Sequence, residues 1–436
     1  MPEDRWSLVA VAGMLSFVAM LDMNVVNLAL TDLARDLGVS AGVAQWAVLG
    51  YQLPLVALLL PAGRWLDQVG IRPALLTAVG GFAVAGAFAA VAPWAVWLIV
   101  ARLVQGAFGA VLFVLMPVLA MRSVRPGLRG RAMSVPATLG PLGAVTGPAV
   151  GGLLLDHFGW RAVFLVKLPV CLAAWLIARR CAPPGGRLRR PDAASLADAG
   201  LVGGAVAALL LGLGLSSASP AWLLLGVPAV PLLARWSRGP GGRPVREVLR
   251  AGGTHGLHAA VLAVAAGFAA MHYLVALHLR RDEAVSATAT GLAVLCFPLA
   301  MGLTGPLGGR LADRFGARPV AVAGAGLTAV GLLLLVPLGD GWSLPAVAWR
   351  LALAGAGMGL YGGPVQALVM SSAPPERTAT AGSAVQLARS LGFTLGPALG
   401  AAGWAIGGGV RAGLGLSAAT GCLAVALIAR SGRRRG

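Results

Sequence analysis

The chain has 436 residues, 58% of them hydrophobic and only 11% charged, with a mean hydropathy of +0.83. Soluble domains carry about 25% charged residues, so this composition excludes a cytosolic enzyme or a secreted globule and calls for lipid. The formal charge of +19 comes from 34 basic against 15 acidic residues, and every basic residue except Lys167 is an arginine.

A membrane crossing takes about 20 apolar residues, and charge-poor runs of that length recur along the whole chain. The first six fall at about 7 to 30, 44 to 63, 74 to 93, 95 to 121, 132 to 155 and 160 to 178. Two shorter runs follow at about 199 to 216 and 220 to 235. Six more lie at about 255 to 279, 288 to 308, 319 to 338, 343 to 370, 379 to 405 and 410 to 429. The runs are continuous rather than alternating, which predicts helices and not barrel strands. The first is too long for a signal peptide, is flanked by Glu3 and Asp4 and contains Asp22; it reads as a retained helix.

Arginine placement sets the expected orientation. One set of alternate loops holds Arg5; Arg64 and Arg72; Arg122, Arg125, Arg129 and Arg131; Arg179, Arg180, Arg187, Arg189 and Arg190; Arg235, Arg238, Arg243, Arg246 and Arg250; Arg310, Arg314 and Arg318; Arg377; and Arg430 with Arg433, Arg434 and Arg435. The opposite loops hold only Arg35, Arg161, Arg280, Arg281 and Arg411. The positive-inside rule then places both termini in the cytoplasm of a multi-pass cell-membrane protein. Trp6, Trp46, Trp65, Trp94, Trp97, Trp160, Trp222, Trp236, Trp342 and Trp404 lie near span ends, as an interfacial belt would. The four cysteines show no CxxC spacing and imply neither disulfide nor metal.

The chain repeats itself. Gly63, Arg64, Asp67, Gly70, Arg72 and Pro73 recur as Gly309, Arg310, Asp313, Gly316, Arg318 and Pro319, always 246 residues later. Gly147, Pro148 and Gly151 recur as Gly396, Pro397 and Gly400, offset by 249. Duplication of a six-helix unit accounts for both, with two helices inserted between the copies. The expected segments are a six-helix bundle over 1–180, linkers with two extra helices over 181–254, and a second bundle over 255–436.

These residues resemble the major facilitator superfamily. The GxxxDxxGxR pattern occurs twice, Arg102 to Gly106 reads ArgLeuValGlnGly, and 140 to 152 is like the antiporter motif of its drug exporters. Residues 21 to 30 and 160 to 169 look like its fourteen-span drug:proton antiporter branch, although Lys167 stands where that branch usually has asparagine. The resemblance implies an all-α membrane protein of fourteen spans that exports a drug or metabolite against protons, with consequences for antibiotic resistance.

Asp22 lies deep in the first span, where an ionised carboxylate is costly unless paired or facing water. With Asn24 and Asn27 it is the expected proton or substrate site, and burial against a fixed arginine is the structural alternative. Arg102, early in the fourth span with Gln105, is a possible partner that would hold Asp22 ionised. Gln52, Lys167, His272, Arg350, Gln366, Gln386 and Arg389 are further polar groups at membrane depth, and Lys167 can also snorkel to the outer surface. Since Asp22 is the lone acid among them, a neutral or anionic substrate has weight beside a lipophilic cation. Tyr51, Phe108, Phe113 and Met301 can line an apolar cavity or merely pack.

Gly63, Asp67, Gly70, Arg72 and their copies Gly309, Asp313, Gly316 and Arg318 are expected to form a cytoplasmic gate. Each aspartate can accept hydrogen bonds from a helix N-terminus or from a neighbouring arginine of the same half. Gly140, Gly143, Gly147, Pro148, Gly151 and Gly152 form a small-residue face suited to rigid packing or to a hinge against the other half.

The partners expected are a small amphiphilic molecule, protons and lipid, with the protein a monomer. The basic loops lack the interleaved aromatics of a nucleic-acid site. No phosphate-binding GxxxxGK[ST] occurs, so the proton gradient, with no cofactor, is the expected energy source. The alternatives are proton-coupled uptake of a metabolite and a membrane protein without transport. No paired histidine and carboxylate motif on a span supports an enzyme.

Overall fold

The computed structural model describes residues 4–188, 193–215, 220–250, 254–283, 285–337, 342–407 and 409–431. Arg189, Arg190 and Arg433 to Arg435 lie outside them. The regular elements described are all helical. The first half comprises α1 (Trp6–Leu28), α2 (Leu30–Asp36), α3 (Ala41–Ala44), α4 (Trp46–Leu66), α5 (Ile71–Ala90), α6 (Ala95–Arg122), α7 (Arg129–Phe158), α8 (Trp160–Leu165) and α9 (Leu168–Cys181). Then come α10 (Ala193–Leu215), α11 (Ala229–Arg238) and α12 (Arg243–Arg250). The second half comprises α13 (His255–Arg281), α14 (Ala287–Phe315), α15 (Ala317–Leu333), α16 (Leu344–Ser372), α17 (Thr378–Gly407) and α18 (Val410–Arg430).

Among the described residues, nine helical stretches are long and apolar enough to cross a membrane, with α3 and α4 counted as one and α8 and α9 as one. Large apolar side chains such as Phe88, Leu172, Leu303 and Leu423 are exposed, a surface that lipid covers and water would not. Inside, Leu15, Tyr51, Leu59, Phe82 and Leu115 belong to one core, and Met271, Phe297, Leu351 and Val365 to another.

The two halves pack corresponding helices in the same pairs. In the first, α1 lies on α7 and α9, α6 on α4 and α5, and α5 on α9; in the second, α13 lies on α17 and α18, α16 on α14 and α15, and α15 on α18. The halves meet where α7 packs on α14 and α4 on α17, while α10 lies against α4. We call the face holding the start of α1 and the α4–α5 and α14–α15 turns the terminal face. The opposite one, with α2, α3 and α8, is the far face.

Three expectations change. The sixth run is not one helix: it breaks at Val166 and Lys167 between α8 and α9. Pro169, in the first turn of α9, has no N–H for the carbonyl of Leu165 and its ring crowds that carbonyl. The run at 220 to 235 is a 3-10 helix, Pro220–Gly226, followed by the ten-residue α11, which ends on Arg235 and Arg238. In the tryptophan belt, Trp6, Trp94, Trp97 and Trp222 are exposed, whereas Trp160, Trp236 and Trp342 are buried. The Trp160 indole donates to Asp36 at 2.9 Å, and Arg161 reaches the same carboxylate oxygen at 2.7 Å, clipping α2 to α8. Those bonds hold the Asp36 carboxyl below the usual carboxylate range.

Candidate functional site: a buried ion cluster and two inter-half locks

Asp22 of α1, Arg102 of α6 and Lys167 at the α8–α9 break meet inside the first half. They are 2%, 0% and 1% exposed, so all three ionisable groups are sealed from water in this conformation. Arg102 Nη1 donates to Asp22 Oδ2 at 2.7 Å and to Gln105 Oε1 at 2.8 Å, while its Nε donates to the Ala47 carbonyl at 2.6 Å. Lys167 Nζ donates to the other oxygen, Asp22 Oδ1. One carboxylate therefore bridges two cations.

Local sequence makes room for this. Asp22 lies 16 residues into α1, roughly 24 Å along its axis, nearer the far face. The helix break sets Lys167 beside α5, where Gly86 leaves the space its stem occupies: a Cβ there would sit 2.7 Å from Lys167 Cε. Aromatic faces shield the cations. The guanidinium carbon lies 4.5 Å from the Tyr51 ring centre, and Nζ lies 5.4 Å from both Phe82 and Phe164, within cation–π range. Two polar atoms beside the cluster, Gln105 Nε2 and Tyr51 Oη, are buried without a hydrogen-bond partner.

Other residues expected at this site stand elsewhere. Asn24 and Asn27 donate to the carbonyls of Met20 and Met23 on their own helix, at 2.8 and 2.9 Å. Gln52 is half-buried on α4. In the second half, Arg350 folds back onto the Ala346 carbonyl at 2.7 Å and lies over the Trp349 ring. His272 packs beside Phe268, ring centres 5.4 Å apart, with a buried, unpartnered Nδ1. Gln366 and Gln386 are buried, and Arg389 is half-buried one turn past Gln386. Neither Arg350 nor Arg389 has a carboxylate partner among the described residues. The cluster's third member was the hardest to read from sequence; its signal is a lone lysine two residues before a proline inside an apolar run.

At the terminal face the duplicated aspartates bind across the molecule. Asp67 accepts from the backbone N–H groups of Ala379 and Thr380 at 2.9 and 3.0 Å and from the Thr380 hydroxyl at 2.6 Å. Asp313 accepts from the N–H groups of Gly130 and Arg131 at 2.7 and 3.1 Å, with Arg131 Nε at 3.5 Å. Each thus caps the first turn of a helix in the other half, α17 or α7, where the helix dipole favours an anion. The arginine beside Asp313, Arg131, lies in the other half, whereas Arg122, which acts on Asp67, lies in the same half. Burial pushes the Asp67 carboxyl above the usual range, against the opposing effect of its three hydrogen bonds and of Arg122.

Glycine lets these elements touch. A Cβ on Gly63 would collide with the Ser383 hydroxyl and lie 2.9 Å from the Ala379 carbonyl; on Gly309 it would lie 2.6 Å from the Gly130 carbonyl. Gly316 ends α14 with a positive φ of 92°, a conformation that favours glycine. Gly70 does not need one; it abuts Gly186 instead. Arg72 donates to the Arg179 carbonyl at 2.8 Å, within its own half, and Arg318 keeps a buried, unpartnered Nε.

The small-residue face of α7 does not meet the other half. Gly140, Gly143, Gly147 and Gly151 approach Ser16, Phe17, Asn24 and Leu28 of α1, and Gly152 faces open space. Pro148 lies within α7. The face therefore seats the helix that carries Asp22, while α7 reaches α14 through Gly130, Thr138 and Leu142.

A duplicated set of helix pairs with inter-half locks on one face, and a sealed ion cluster within the first half, is the architecture of a membrane transporter, and the family match agrees. The sequence model of the Major Facilitator Superfamily matches residues 12–227 and 257–435, and the chain belongs to that family. It is 28% identical over 396 residues to the multidrug resistance protein Stp of Mycobacterium tuberculosis, covering 88% of this chain and 73% of that one. It is 30% identical over 424 residues to the probable actinorhodin transporter of Streptomyces coelicolor, covering 91% and 72%. Among solved structures it resembles the proton:xylose symporter XylE with a TM-score of 0.71 at 16% identity, over 98% of this chain and 95% of that one. At that identity the likeness shows the fold.

Proposed function

We propose that the protein is a secondary active exporter that expels a small amphiphilic drug or metabolite in exchange for protons, by alternating access between its halves. The carrying observation is the sealed Asp22, Arg102 and Lys167 cluster. Replacing a buried ion cluster with apolar residues is often neutral or stabilising, so packing alone gives no reason to keep three desolvated charges. A site whose charge changes with a proton does. Export is supported by the names of the relatives, which describe resistance and transport.

In this reading the chain has fourteen spans, six on each side of a pair formed by α10 and the segment Pro220–Arg238, with segments 1–180, 181–254 and 255–436. The arginine-rich terminal face is cytoplasmic, supported by the positive-inside bias. Asp67 and Asp313 then close the cytoplasmic side, as an outward-facing state requires. Arg350 and Arg389, without acidic partners among the described residues, favour a neutral or anionic amphiphile over a cation. The monomer uses the proton gradient and no cofactor.

Inverted membrane vesicles test this. With an acid interior, a fluorescent amphiphile accumulates inside, and a protonophore abolishes the accumulation. A proton-coupled importer would instead move the compound with the protons. If accumulation ignores the gradient and Asp22→Asn changes nothing, the export reading fails.

A further inference from the structure

The protein holds one lysine among 34 basic residues, and that lysine is in the ion cluster. Guanidinium stays protonated in proteins, whereas an ammonium group loses its proton when its surroundings favour the amine. The cluster can change its charge by one proton in two ways, and they are not equivalent. Protonating Asp22 removes the lone anion and leaves an ammonium and a guanidinium facing each other across a neutral acid, walled by Tyr51, Phe82 and Phe164. Deprotonating Lys167 leaves the Asp22 carboxylate paired with Arg102 at 2.7 Å, a neutral whole.

A second observation points the same way. Gln105 Oε1 is committed to Arg102, which turns Nε2 outward as a buried donor without an acceptor. Nε2 and Lys167 Nζ lie 3.6 and 3.4 Å from one point beside Gly86, so both border the same small space. An ammonium offers that donor nothing, whereas an amine drawn across that space would offer its lone pair while still donating to Asp22.

We propose that Lys167, and not Asp22, carries the exchanged proton, with Asp22 ionised throughout the cycle and Arg102 as its fixed counter-charge. In the step, one N–H bond of the ammonium breaks, the electron pair stays on Nζ, and the proton passes to water admitted when the cluster opens. The site alternates between one net positive charge and none. This rests on the proton-exchange reading and names the group that performs it. The groups around Nζ are Asp22 from α1, Arg102 and Gln105 from α6, and Cys171 one turn along α9, with Tyr51 from α4 behind Arg102, while α5 and α8 present Phe82, Gly86 and Phe164. Charged residues of α7 sit at its ends: Arg129, Arg131, Asp156 and His157. Since Lys167 lies at the α8–α9 break, its proton also sets how firmly that break is held to α1.

The single lysine makes the test direct. Full-length protein labelled with Nζ-15N lysine gives one side-chain resonance. The expected result is a shift from ammonium to amine as pH rises, while no infrared carbonyl band of a neutral carboxyl that differs between wild type and Asp22→Asn appears at any pH. An ammonium signal throughout, or that carbonyl band appearing on acidification, overturns the proposal. In vesicles, Lys167→Arg keeps the charge but cannot release it; its gradient-driven transport should fall to the level seen without a gradient. A folded Lys167→Arg protein that still responds to the gradient overturns the assignment and leaves export standing. Wild-type transport that ignores the gradient removes the export reading itself, and the assignment with it.

Discussion

In the first half Arg102 finds a carboxylate, a glutamine and a backbone carbonyl; in the second, Arg350, 248 residues on, finds only the carbonyl four residues back and the face of Trp349. Near the level in α13 that corresponds to Asp22, Phe268 packs on Phe297, His272 and Phe393 with ring centres 4.7 to 5.7 Å apart. Helix pairs match between the halves, yet one interior is ionic and the other aromatic. Duplication supplies a scaffold, and single side chains then set the two interiors apart: a buried ion cluster on one side, a cluster of aromatic rings on the other. The terminal face did not diverge in this way. Its two aspartates make the same kind of cap on opposite halves.

The contrast breaks most severely at Asp22. Asp22→Asn strands two buried cations, and losing one partner of a buried ion pair costs about 3–5 kcal/mol. Thermal unfolding in detergent should show that loss together with failure of gradient-driven transport. Asp67→Ala removes the three bonds that cap α17; with hydrogen bonds to a charged group worth about 1.5–3 kcal/mol each, spin labels across α4 and α17 should report a population open at the terminal face. Asp313→Ala should open it comparably through α7. Gly63→Val tests the same contact sterically. Overpacking of about 1–3 kcal/mol should widen the α4–α17 distance without touching the cluster.

How far these partners were legible depended on how local their cause is. The apolar runs, the paired turn motifs and the α7 glycine face are written in periodicity and spacing, and the helices follow them. Lys167 was not legible as a partner of Asp22, because the two are 145 residues apart and the lysine turns inward only through the break before Pro169. Asp67 was legible as a cap, but the first backbone N–H it accepts from lies 312 residues later, and nothing local says which half supplies it. The segment at 220 to 235 shows the converse: apolar enough to read as a span, yet its prolines at 220 and 228 fall where a 3-10 turn and a new helix start.

Smaller effects sharpen the comparison. Arg350→Gln should cost about 1 kcal/mol, the net worth of one hydrogen bond, and leave the pH response of transport unchanged, since no carboxylate depends on it. At the far face, the Asp36 clip has a definite sign. The folded carboxyl is held below its free value, so its contribution is complete above the ordinary carboxylate range and is lost as pH falls through the lowered value. Hydrogen exchange of the Trp160 indole should quicken only under that acid condition, and Asp36→Asn should speed it at neutral pH.

Proton release from purified protein on addition of an amphiphile tests the central claim most directly. Wild-type protein should release protons when a neutral or anionic compound binds, and Asp22→Asn and Lys167→Arg should release none. Equal release from wild type and both variants would contradict the account, because the proton would then come from outside the cluster.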